Sequence, residues 1–189
     1  FCNDSLAAMG LAEGLGASVR RSSDELKITG GKRLRMDKLD CGESGLAIRM
    51  FSPIAALQDG EITITGTGSL KTRPMTMIED ALRQFGVQCN TNNGLLPLTI
   101  RGPLPGGDCE IDGSISSQLL TGLLMALPVA GIDSTVRVRD LKSRPYIDMT
   151  LQVLEKFGIK AGNDHYSKFM IPGNQKFRAC TFEVESDWS

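Results

Sequence analysis

Four short stretches of this chain hold residues suited to binding an anion, and each stands where a helix should begin. Asp112-Gly113-Ser114-Ile115-Ser116-Ser117-Gln118 is a hydroxyl-rich turn that runs into the apolar stretch Leu119 to Pro128. Ser is a favoured N-cap, and a helix start offers free backbone N–H groups. Ser116, Ser117 and the Gln118 amide therefore form a ready phosphate site. Gly42-Glu43-Ser44-Gly45-Leu46-Ala47-Ile48-Arg49 opens a second apolar helix. Its glycines permit close backbone approach, and Arg49 lies a turn inside. Arg73 precedes a third helix start, and Ser143, Arg144 and Tyr146 occupy the corresponding place at a fourth. Arg grips carboxylates and phosphates through two parallel hydrogen bonds. Each feature also has a plain structural reading. The serines could simply cap core helices, the arginines could be solvated, Glu43 could serve a helix dipole, and Gly45 could allow helix packing. Gly66-x-Gly68 is not a phosphate loop, because no Gly-Lys-Ser/Thr follows it.

The elements that must position these residues recur. Three strands, Leu26 to Gly30, Leu98 to Gly102 and Phe169 to Gly173, end in glycines 72 and then 71 residues apart. Fourteen residues after each glycine stands Ser44, Ser116 or Asp187, all N-cap types. Glu61 to Thr65 is matched with Ser134 to Val138, and Ser69 to Pro74 with Asp140 to Pro145. Each proline suits the first position of a helix, and those helices stop at Phe85-Gly86 and Phe157-Gly158. Met75, Ile78, Ala81, Leu82 and Phe85 form one apolar stripe, and Ile147, Leu151, Leu154 and Phe157 another. Asn92-Asn93-Gly94 and Asn163-Asp164-His165 read as hairpin turns. Each unit thus reads strand, buried helix, strand, amphipathic helix, strand, strand. The boundaries are about 1–30 (partial, beginning in an amphipathic helix from Asp4 to Leu15), 31–102, 103–173 and the start of another from 174–189. The fold class is α/β (α+β), with repeated βαβαββ units, buried helices and mixed outer sheets, in one domain.

Composition narrows the function. With 189 residues, 41% of them hydrophobic and 23% charged, the chain can bury a substantial core. A net charge of -1 argues against nucleic acid as a partner, and no apolar run is long enough to suggest a membrane span. Five cysteines, none in a Cys-x-x-Cys pair, read as free thiols in a reducing compartment, with those in strands acting as small hydrophobes. The single histidine, His165, falls in a turn and should be solvent-exposed. It suggests neither a Ser-His-Asp triad nor a zinc site. The eight methionines read as core filler. Beginning at Phe1 and ending abruptly at Ser189, the sequence has the look of an excised piece.

Leu39 to Arg49, then Arg73-Pro74-Met75, then Ser114 to Gln118, then Ser143 to Asp148 together resemble the EPSP synthase family, the 3-phosphoshikimate 1-carboxyvinyltransferases. The likeness covers essentially the whole chain. It implies the N-terminal lobe of a two-domain enolpyruvyl transferase, truncated at both ends. It also implies a cytoplasmic enzyme that needs no metal or organic cofactor and works on small molecules in a cleft closed by a second domain. The implied reaction moves the enolpyruvyl group of phosphoenolpyruvate to the 5-hydroxyl of shikimate 3-phosphate, on the route to aromatic amino acids. By resemblance, Ser116, Ser117, Gln118, Ser143 and Tyr146 would hold shikimate 3-phosphate. Gly45, Arg49, Arg73 and Gln118 would hold phosphoenolpyruvate.

Two positions depart from the family's usual pattern: Glu43, where Asn is common, and Leu46, where Thr is common. A carboxylate beside a phosphoenolpyruvate pocket repels that substrate unless it turns away or pairs. Affinity for phosphoenolpyruvate, or for glyphosate (which occupies that pocket in the family), would then be unusual. Arg144 replaces the commoner Lys and keeps the charge. The competing readings are a UDP-N-acetylglucosamine enolpyruvyltransferase-like enzyme, whose reactive Cys loop has no counterpart here, and a noncatalytic repeat module that binds an anion or a partner protein.

Overall fold

The computed structural model describes residues 2–23, 25–31 and 34–183. The chain enters through α1 (Asn3–Gly14) and a hairpin of β1 (Ser18–Arg21) and β2 (Leu26–Thr29). The next unit comprises β3 (Lys38–Asp40), α2 (Gly45–Ala55), β4 (Gly60–Thr65), a 3-10 turn (Gly68–Thr72), α3 (Thr76–Gln84), β5 (Gln88–Asn92) and β6 (Leu95–Gly102). The last comprises β7 (Asp108–Asp112), α4 (Ser117–Ala126), β8 (Ser134–Arg139), α5 (Arg144–Lys156), β9 (Gly162–Asp164) and β10 (Lys168–Ile171). The two four-stranded sheets run β3-β4-β6-β5 and β7-β8-β10-β9, so corresponding strands take corresponding places. In each, the first pair is parallel and the others antiparallel. This is the mixed α/β architecture expected from the repeat. Asp187, expected to cap a further helix, lies outside the described residues.

Burial follows from the side-chain pattern. Leu119, Leu120, Leu123, Leu124 and Leu127 are all at most 2% exposed, so α4 is a core helix, with almost no face left for water. It packs on α2 through Gly122, where a Cβ would stand 2.6 Å from the Met50 carbonyl oxygen and 2.8 Å from that of Arg49. Only a residue without a side chain lets the two backbones come so close. The stripe of α3 is buried in full, whereas on α5 Ile147 and Leu154 are buried and Leu151 and Phe157 only half so. Gly86 and Gly158 end these helices at φ +80° and +79°.

Several expectations need correction. Helix α1 has no apolar stripe: only Leu11 and Gly14 are buried, and Leu6 is 44% exposed. Pro74 is not the first residue of α3. The Met75 N–H instead donates to Gly94 O at 2.8 Å in the neighbouring hairpin, which delays the helix to Thr76. The second hairpin turns at His165 and Tyr166 (φ 50° and 59°) rather than at Asn163 and Asp164, which lie in β9. The match of Glu61 with Ser134 is out of phase. Glu61 is exposed while Ser134 is buried, and Ile62 and Ile64 face the core as Val136 and Val138 do. A one-residue slip exchanges the two faces of a strand. Among the methionines, Met75 is buried, but Met36, Met149 and Met170 are each more than 40% exposed. All five cysteines are free, with Cys41, Cys89 and Cys109 buried and Cys2 and Cys180 exposed. Cys89 and Cys109 lie in strands, and Cys41 directly follows one.

Candidate functional site

Parallel strands place the helices that follow them with their starts at one end, beyond the carboxyl ends of the strands. The loops after β3, β4, β7 and β8 therefore carry the polar residues singled out from the sequence. Ser44 caps α2 by accepting from the Ala47 N–H at 3.0 Å, and Ser116 caps α4 by accepting from the Gln118 N–H at 3.1 Å. Ser117 is not a cap but the buried first residue of α4.

Two guanidiniums converge on Gly45. A Cβ there would be 2.7 Å from Arg73 Nη1 and 2.9 Å from Arg49 Nη1. Arg49 Nη1 donates to Gly45 O and to Gln118 Oε1, each at 3.2 Å. The second of these bonds joins the start of α2 to the start of α4. Ser116 Oγ also donates to Gln118 Oε1, at 3.4 Å, so the Gln118 amide NH₂ is left without a partner among the described residues. Arg49 Nε is buried with no hydrogen-bond partner among the described residues. Burial first, and the charge of Arg73 second, lower the Arg49 pKa from its ordinary value. Among the described residues neither arginine has a carboxylate partner. Two adjacent cations and an unpaired buried N–H favour an anion between them.

Glu43 does not oppose this arrangement. Its Oε2 accepts from the Ser69 N–H at 3.1 Å, at the head of the 3-10 turn that leads to Arg73. Sequence reasoning placed Glu43 at the start of α2, yet its partner lies 26 residues further on and is set by the β3–β4 pairing.

Gly45, Arg49, Arg73, Ser116 and Gln118 thus form one connected cluster, with Ser117 beside it. Ser143 and Tyr146 are not bonded into it. They stand at the start of α5, which meets α4 through the Thr121 and Thr150 hydroxyls, 3.2 Å apart. Ser143 makes no cap bond, and Tyr146 is 63% exposed with a hydroxyl free of protein partners among the described residues. Arg144, the counterpart of Arg73, instead lies over the Tyr166 ring, 5.1 Å from its centroid, and the Tyr166 hydroxyl donates to Asp148 at 2.8 Å. A cleft beside it is lined by Ser114, Lys142, Arg144, His165 and Ser167. A broader cleft runs along α5 and β10, away from the arginine pair. Among the described residues no His, Cys, Asp and Glu cluster could hold a metal, and no helix is long and apolar enough to cross a membrane.

A family model described as EPSP synthase (3-phosphoshikimate 1-carboxyvinyltransferase) matches residues 1–189. The chain belongs to the EPSP synthase family. The 3-phosphoshikimate 1-carboxyvinyltransferase of Clostridium perfringens is 35% identical over 100% of this chain and 46% of its own length. That of Methanosarcina acetivorans is 40% identical over 98% of this chain and 45% of its own length. The EPSP synthase structure from Acinetobacter baumannii matches with a TM-score of 0.80 at 26% identity, over 94% of this chain and 41% of that one. The enolpyruvyl transferase NikO from Streptomyces tendae shares the fold, with a TM-score of 0.59 at 16% identity over 88% of this chain. The chain spans less than half the length of the EPSP synthase family members it matches.

Proposed function

We propose that this chain is part of an enzyme that transfers the enolpyruvyl group of phosphoenolpyruvate to the 5-hydroxyl of shikimate 3-phosphate, releasing phosphate. It would form the N-terminal lobe and supply mainly the shikimate 3-phosphate half-site. The observation that carries this reading is the convergence of Arg49 and Arg73 over Gly45, bridged by Gln118 to the capped start of α4. The names of the relatives support the shikimate substrate over a UDP-sugar.

In this reading Arg49 and Arg73 bind phosphoenolpyruvate through charge-assisted bonds, and the missing Cβ of Gly45 leaves room for it. The substrate offers the buried Arg49 Nε an acceptor. Ser116, Ser117, the free Gln118 NH₂ and the α4 start bind shikimate 3-phosphate, with Ser143 and Tyr146 reaching it from α5. Positioning and charge stabilisation are what these residues contribute. The acid–base groups and a second domain closing over the cleft come from outside this sequence, so the chain alone does not turn over. The free thiols agree with a cytoplasmic location.

Calorimetry of the chain with shikimate 3-phosphate, with shikimate and UDP-N-acetylglucosamine as controls, tests the assignment. Heat with the phosphorylated shikimate alone, weakened by Ser117→Ala, supports it. Heat with the UDP-sugar alone refutes it, and phosphate release at an enzymatic rate refutes the claim of inactivity.

A further inference from the structure

The loop between β4 and α3 carries Arg73; Leu70 anchors it in the core, but few hydrogen bonds tie its backbone to other segments. At its start the Thr67 N–H donates to Gly42 O at 2.7 Å, and within it the Arg73 N–H donates to Leu70 O at 3.2 Å. Between these points, among the described residues, the Glu43 carboxylate is the one side chain from another segment that bonds the backbone, accepting from the Ser69 N–H. A carboxylate at the head of a 3-10 turn meets backbone N–H groups that lack partners within the turn. Gly68 makes the contact possible, because it holds φ at +52° and a Cβ on it would lie 2.2 Å from the Glu43 carboxyl carbon. Glu43 does not serve α2, whose first turn is capped by Ser44. We propose that Glu43 is a positioning residue that clamps the loop after β4 and so holds the Arg73 guanidinium over Gly45 beside Arg49.

This rests on the function proposed above, and two readouts separate the failure of each. The first needs no ligand: the Nε–H resonance of Arg73 and the amide exchange of Ser69, followed by NMR in the 189-residue chain. Glu43→Ala should shift the resonance and speed the exchange, whereas Glu43→Gln, which can still accept from Ser69, should leave both near the wild-type values. The second is calorimetry with phosphoenolpyruvate. Glu43→Ala should weaken binding roughly three- to tenfold, Glu43→Gln should restore most of the loss, and Gly68→Ala should reproduce it. Tighter binding in both Glu43 variants would mean that Glu43 acts only as a repelling charge, which overturns the proposal. An Arg73 resonance unmoved by Glu43→Ala overturns it too. If the wild-type chain takes up no phosphoenolpyruvate, the reading that Arg49 and Arg73 hold it without a second domain fails, and the NMR arm alone decides the role of Glu43.

Discussion

Replacing Gly122 by Ala sets two effects of opposite sign against each other. Ala is the better helix former by about 1 kcal/mol, so propensity alone stabilises the variant. Packing opposes it. The new Cβ would lie 2.6 and 2.8 Å from two carbonyl oxygens of α2 and 2.9 Å from Met50 Cα, all backbone atoms that cannot rotate away. Ordinary contact begins at 3.4 Å, so α4 must withdraw by about 0.8 Å. A gap of that size forfeits roughly a quarter to a half of the dispersion attraction of every atom pair it separates. Leu119, Leu120 and Leu123, buried around this seam, stand to lose such contacts. Overpacking of this kind costs about 1–3 kcal/mol, and the tight backbone contacts put Gly122 at the upper end. The net expectation is destabilisation by about 1–2 kcal/mol, or a fall in Tm of roughly 2–8 °C for a chain of this size. Thermal and urea unfolding followed by circular dichroism measure it. A higher Tm would show that propensity wins and that the helices are not in the close contact described.

Other substitutions probe the site and the seams. Gly45→Ala should weaken phosphoenolpyruvate binding by about tenfold or more, because its Cβ would stand under 3 Å from both guanidiniums, with calorimetry as the measure and unchanged affinity as the refutation. Burial pushes the Cys41, Cys89 and Cys109 thiols up to about 12 from 9.0, so between those values the unfolded chain releases protons that the native one retains. Stability is then unaffected below pH 9 and falls above it, by up to about 1.4 kcal/mol per pH unit for each thiol. Urea midpoints at pH 8 and pH 10 should therefore diverge, and replacing the three cysteines by Ala should shrink the divergence. The Gln84 side chain accepts from the Glu110 N–H at 2.8 Å and donates to its carbonyl at 3.0 Å, along the free edge of β7. Gln84→Met should cost about 1–2 kcal/mol in urea unfolding, and no loss would mean that water serves that edge equally well.

The sequence exposed what is local and repeated. N-caps, glycine stops and glycine spacing act within a few residues, so Ser44, Ser116, Gly86 and Gly158 could be read directly. Strand phase was harder, because Thr63, Thr65 and Thr135 are β-branched yet not buried, which hides which face is inward. The delayed start of α3 depends on Gly94, and the role of Glu43 depends on Ser69. Both partners are brought near by sheet pairing rather than by chain proximity. Grouping Arg49, Arg73 and Gln118 from sequence needed a family resemblance, since nothing in their spacing dictates that two cations meet over one glycine.

The bond from Arg49 to Gln118 joins two repeats. Gly45, Arg49 and Arg73 belong to one unit, and Ser116, Ser117 and Gln118 to the next. Neither unit alone contains the cluster, so it is a property of their adjacency. A solitary copy of this motif would hold either the paired cations or the hydroxyl-rich helix start, never both, and could assemble such a pocket only against a second copy. Carrying both units on one chain makes that meeting permanent. The two stretches share one βαβαββ plan, with Ser44 matched to Ser116 and Arg73 to Arg144, and they differ where Arg49 stands in the first and Thr121 in the second.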